Sequence, residues 1–78
     1  MEFENVQNVI VDYDGKITEK FTDGYYSDDY SNSTWEVYIN SLNLGILYYY
    51  EYARTKGVNA YIVVDEKKWA LTRLKYGI

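Results

Sequence analysis

A chain of 78 residues can bury one modest core, and this one contains neither cysteine nor histidine, so disulfides and the usual ligands of structural zinc are unavailable to staple it. Nucleophilic triads, zinc hydrolysis and thiol redox chemistry draw on those same residue types, which argues against a conventional enzyme and against a bound cofactor or metal. The net charge of −4 conceals a segregation: residues 1–52 carry ten acidic side chains against Lys16 and Lys20, whereas residues 53–78 carry Arg54, Lys56, Lys67, Lys68, Arg73 and Lys75 against Asp65 and Glu66.

Burial must draw on aromatic rings, because eleven tyrosines, two tryptophans and two phenylalanines join the aliphatic residues. No apolar run approaches the roughly 20 residues that span a bilayer, and Met1-Glu2-Phe3-Glu4 is acidic where a secretory leader is basic. These features predict a cytoplasmic protein with no membrane association. Asn32-Ser33-Thr34 matches a glycosylation acceptor pattern, but without a leader it reads as loop.

No proline, repeat or linker-like stretch divides the chain, so residues 1–78 read as a single domain. Asn5 to Tyr13 is rich in β-branched residues, and Asp14-Gly15 supplies the positive-φ positions of a tight hairpin turn before Lys16 to Thr22 returns. That turn places Ile10, Ile17 and Phe21 on one face of a two-stranded ribbon. Asp23 to Ser33 is polar, aromatic and acidic without periodicity, and reads as a loop. Thr34 to Ile39 alternates, with Trp35, Val37 and Ile39 on one side, which predicts a third strand. A competing reading starts a helix there, with Ser33 as cap and Glu36 as its reciprocal acid.

From Leu42 to Lys56, Leu42, Ile46, Tyr49, Tyr50 and Ala53 recur at helical spacing, with Asn40 or Ser41 to cap the start and Gly57 to close the end. Arg54 and Lys56 then sit at the negative end of the helix dipole. Val58 to Val64 and Trp69 to Tyr76 read as a second hairpin around Asp65-Glu66-Lys67-Lys68. The expected fold is α+β, a mostly antiparallel sheet of about five strands in the order ββ-β-α-ββ with one helix on a face. Trp35 and Trp69 are assigned to its core.

Asp12-Tyr13-Asp14-Gly15-Lys16-Ile17 looks like the middle of a calcium-binding helical-hand loop, but the outer ligand positions fall on Ile10 and Phe21, which cannot coordinate. The five glycines are dispersed and form no phosphate loop. What stands out is the acidic, aromatic segment containing Asp23, Tyr25, Tyr26, Asp28, Asp29 and Tyr30, supported by Asp12, Asp14 and Glu36. Tyrosine offers a large rigid contact area at low entropic cost, and spaced carboxylates can stand in for phosphates before a groove lined with Lys and Arg. The bland alternative is a solvated loop whose rings fold back on the sheet. On a helix Tyr48 and Tyr52 would share an exposed face and point to self-association as a homodimer.

This short acidic chain, cysteine-free and tyrosine-rich, with Asp12, Asp14, Asp23, Asp28 and Asp29, resembles the small phage-encoded inhibitors of host defence: anti-CRISPR proteins, anti-restriction proteins and uracil-DNA glycosylase inhibitors. The resemblance is one of size and composition over the whole chain and includes no diagnostic motif; the basic C-terminal residues depart from the uniformly acidic members. It implies a protein without a catalytic site that blocks a host nuclease, CRISPR effector or other nucleic-acid-binding defence protein in the host cytoplasm. A second reading is a module that sequesters a nucleotide signal, tyrosines stacking the base while Arg54, Lys56 or Arg73 holds phosphate. A third is direct single-strand binding through the C-terminal residues, which the net negative charge disfavours.

Overall fold

The computed structural model describes residues 8–25 and 31–78. Along the chain run β1 (Val9–Val11), α1 (Lys16–Thr22), α2 (Asn32–Ser41), β2 (Ile46–Tyr48), α3 (Tyr50–Lys56), β3 (Ala60–Val63) and α4 (Glu66–Tyr76). The α+β class holds, but the expected five strands and single helix are replaced, among the described residues, by a three-stranded antiparallel sheet of order β1-β3-β2 and four helices.

Each correction has a local cause. The first hairpin is absent because Asp12, instead of preceding a turn, turns its carboxylate back onto the chain and accepts the backbone N–H groups of Ile17 at 3.1 Å and Thr18 at 3.0 Å. Those are free donors of a new helix, so Lys16–Thr22 coils rather than returning as a strand. Ile17 and Phe21 stay together in the core because a spacing of four fits both periods. Of the residues Asp23 to Ser33 expected as loop, the last two begin α2. Ser31 caps it by accepting from the Thr34 N–H, two residues earlier than the competing reading placed the cap. Here too Trp35 and Ile39 are buried, while Val37, which a strand would bury with them, is 70% exposed.

The expected helix over Leu42 to Lys56 is broken at Gly45. Its φ of 91° suits glycine, and a Cβ there would lie 2.5 Å from the Trp69 nitrogen and 2.8 Å from the Asp65 carbonyl oxygen. The glycine lets the chain pass the first turn of α4 at backbone contact and enter β2, while its carbonyl accepts the N–H groups of Val64 and Asp65. Only the C-terminal part of the expected helix survives, as α3, closed as predicted by Gly57 with Arg54 and Lys56 in its last turn. The second hairpin is absent because Asp65 caps a helix instead: its side chain accepts from the Lys68 N–H at 3.0 Å, and Gly77 in the left-handed conformation ends α4.

Register gives the sheet two distinct faces. Ile10, Tyr61 and Tyr48 lie in one row, and Val63 pairs with Ile46 beside them; on the other face lie Val9, Val11, Ala60, Ile62 and Leu47. All four helices contribute to a core on the first face, through Ile17, Phe21, Trp35, Ile39, Ala53 and Trp69, which confirms the assignment of both tryptophans. Among the described residues no helix is long and apolar enough to cross a membrane.

Gly45→Ala is expected to destabilise the protein by roughly 2–4 kcal/mol, combining backbone strain at positive φ with a clash that no rotamer can relieve. Urea denaturation measures it; a loss under about 1 kcal/mol would mean that α4 can move away freely.

Candidate functional site

Among the described residues, those singled out from the sequence are divided between the core and separate exposed positions. Asp12 is buried, and its carboxylate is fully engaged: besides the two helix N–H groups it accepts the Thr18 hydroxyl at 2.8 Å. Asp14 is exposed and accepts the Lys16 N–H at 3.2 Å. Asp23 is exposed at the opposite end of α1. Tyr25 packs against the core, its ring edge-on to Trp35 at 4.9 Å and its hydroxyl donating to the Thr34 hydroxyl at 2.6 Å. Glu36 is half-buried on α2. Tyr26, Ser27, Asp28, Asp29 and Tyr30, the heart of the expected acidic loop, lie outside the described residues.

Tyr48 is not the exposed self-association residue expected from a helix. In a strand it faces inward at 4% exposure, edge-on to Tyr61 with ring centroids 5.6 Å apart, and its hydroxyl donates to Asn59 Oδ1 at 2.7 Å. Burial foremost, then the fields of Tyr61, Glu36 and Tyr50, push its pKa from 10.0 up to about 12. The Tyr61 phenol, with no exposed surface, is also raised by burial, although hydrogen bonds from Trp35 and with Thr18 oppose the shift. Asn59 completes the network by donating to Thr18 Oγ1 at 3.0 Å.

The surface that the sequence did not announce is the second face of the sheet. An antiparallel sheet with one covered face ordinarily alternates apolar and polar residues. Here, among the described residues, the second face is apolar throughout and only partly covered: Ala60 is fully buried, but Val9, Val11 and Ile62 are partly exposed, Leu47 is 42% exposed and Val64 extends the patch beyond β3. Tyrosines rim it. Tyr13, 80% exposed on the turn after β1, hydrogen-bonds the half-exposed Tyr52 of α3, an interaction that raises the Tyr52 pKa. Tyr52 in turn lies against Tyr49, their centroids 5.8 Å apart. The exposed carboxylates Asp14 and Glu51 neighbour Tyr13 and Tyr52 in sequence.

Arg54 and Lys56 lie on a different helix from Arg73. Arg54 and Lys56 are exposed at the end of α3, whereas Arg73 lies on α4 beside grooves that border β1. A cavity of about 230 Å³ is lined by Thr18, Thr22, Tyr25, Asn32, Trp35 and Asn59, aromatic and amide groups with no cation among them. Comparison with protein families, with curated proteins and with solved structures finds no match to this chain.

Two predictions separate scaffold from surface. Asp12→Ala should cost about 2–3 kcal/mol in urea denaturation, because it strips two helix donors and a partly buried hydroxyl of their acceptor, whereas Asp14→Ala should cost less than about 1 kcal/mol. Equal costs would contradict the structural role of Asp12. The raised phenol pKa values also contribute stability that is fully present below pH 10.0 and lost as pH rises toward about 12, since the unfolded chain releases those protons first. Tyr48→Phe should flatten part of that decline, measured by denaturation across the alkaline range; an unchanged slope would exclude Tyr48 as a source.

Proposed function

We propose that this protein is a non-catalytic binding domain that engages another protein through the uncovered face of its sheet. The observation carrying this reading is the apolar patch of Val9, Val11, Leu47, Ile62 and Val64, in a position where a solvated sheet would display polar side chains. Rigid tyrosines at its rim are the side chains that interfaces favour, and Asp14 and Glu51 give that rim negative charge. An apolar centre with an acidic, aromatic border fits a partner whose groove is basic, as the grooves of nucleic-acid-processing proteins are.

The finer reading is an inhibitor of the phage type, blocking a host nuclease or defence effector by occupying its nucleic-acid groove. Size, composition and the acidic border support it, and Asp28 and Asp29 enter it on sequence alone. The nucleotide-sequestering alternative gains nothing from the geometry, since Arg73 and the aromatic cavity are lined by different residues.

Affinity capture from host lysate at low salt, followed by mass spectrometry, is expected to recover a nucleic-acid-binding protein whose retention falls as salt rises. Leu47→Asp, on the exposed face, should reduce retention at least tenfold and Asp14→Lys should reduce it less. Wild-type capture by folded Leu47→Asp would remove the sheet face from the account.

A further inference from the structure

The cavity of about 230 Å³ is bordered by α1, by α2 and by Asn59 just before β3, and none of its lining residues belongs to the apolar face of the sheet. Thr18 and Thr22 line it from α1, Tyr25 and Trp35 contribute aromatic rings, and Asn32 and Asn59 contribute side-chain amides. Charge narrows what can enter. Among the described residues no charged side chain lines the cavity, and residues 1–7 and 26–30, which lie outside them, contain no Lys or Arg. A phosphate or carboxylate drawn in would leave water without a basic side chain to receive it, which is costly.

Hydrogen-bonding capacity narrows it further. The Thr18 hydroxyl is spent, since it donates to Asp12, accepts from Asn59 and bonds Tyr61. Asn59 accepts the Tyr48 hydroxyl with its oxygen and gives one N–H to Thr18, which leaves its second N–H. Thr22 donates its hydroxyl hydrogen to the Thr18 carbonyl and keeps its lone pairs. The Asn32 amide makes no hydrogen bond among the described residues, so it offers an acceptor and donors side by side.

A hexose carries a hydroxyl on nearly every carbon, more than these groups can satisfy, and each hydroxyl buried without a partner costs free energy. A nucleobase confines its polar atoms to its edges, where donor and acceptor adjoin as they do in an asparagine amide, and offers flat faces to aromatic side chains. Size agrees with this choice. Sites for drug-sized molecules occupy about 300–1,000 Å³, so the smaller cavity suits a base with any attached sugar left in solvent.

We propose that this cavity binds an uncharged nucleobase, free or as a nucleoside. The Asn32 amide pairs with the donor–acceptor edge of the base, the second N–H of Asn59 meets a ring acceptor, and Tyr25 and Trp35 pack against the ring. Unlike sequestration of a nucleotide, this mode makes no use of phosphate. It rests on the cavity alone and is independent of the partner-binding role given to the sheet face.

Calorimetry with adenosine, cytidine, guanosine and uridine, alongside their 5′-monophosphates and glucose, tests it. At least one nucleoside should bind with a Kd below about 1 mM, and its monophosphate should bind no tighter. Asn32→Leu keeps the bulk of the side chain and removes an amide that holds nothing in the fold. The variant should retain its circular dichroism spectrum and lose affinity by about tenfold or more. If it fails to fold, Asn32→Asp exchanges the amide donors for a second acceptor in the first turn of α2, where a carboxylate is tolerated, and should show the same loss. Four results would overturn the proposal: no heat from any nucleoside at millimolar concentration, a monophosphate bound about tenfold tighter than its nucleoside, glucose bound in place of the bases, or wild-type affinity in a folded Asn32 variant. None of them bears on capture of a partner by the sheet face.

Discussion

The structure depends on pairing the hydroxyls of tyrosines that it buries for their rings. A small chain gains area by burying aromatic side chains, but each phenol carried inside is a polar group that costs free energy if left without a partner. The chain meets this with one connected set of bonds: Tyr48 to Asn59, Asn59 to Thr18, Thr18 to Asp12 and to Tyr61, and Trp35 to Tyr61. Among the described residues no buried side-chain nitrogen or oxygen lacks a partner. Because Asp12 follows β1, Thr18 lies on α1, Asn59 precedes β3, and Tyr48 and Trp35 belong to β2 and α2, the same bonds that satisfy the phenols lock five elements in place. A network of this kind is cooperative, so a break at Asp12 propagates to residues far along the chain.

That dependence explains what could be read in advance. Apolar residues four apart satisfy a strand and a helix alike, so Ile17 with Phe21 and Trp35 with Ile39 revealed which side chains are buried but not the conformation that buries them. Val37 is the position at which the two readings diverge, and nothing local fixes its exposure. Local punctuation was more informative. Gly57 closes its helix as expected, and Gly77, which follows Arg73 and Lys75, closes α4 in the same left-handed conformation. The inward role of Asp12 and the break at Gly45 depend on Thr18, Asn59 and α4 arriving from elsewhere in the chain, so no window of sequence contains them.

The charge segregation takes on a different meaning once the helices are placed. Arg54 and Lys56 occupy the last turn of α3, and Arg73 and Lys75 the last turn of α4, where cations offset the unsatisfied carbonyl groups at the end of the helix. Asp65 and Glu66 sit at the opposite, positive end of α4. Helix electrostatics thus account for four of the six cations in the C-terminal half. Lys16 and Arg73, bordering the grooves beside β1, are the cations whose positions relate to an open part of the sheet.

A three-stranded sheet can be finished by covering both faces or by making one of them polar, and by closing both edges. Among the described residues one face packs against helices and Asn40 accepts one outward N–H of the β2 edge, while Val9 and Val11 lie where the apolar second face adjoins the β1 edge. The same two valines contribute side chains to the face and backbone groups to the edge.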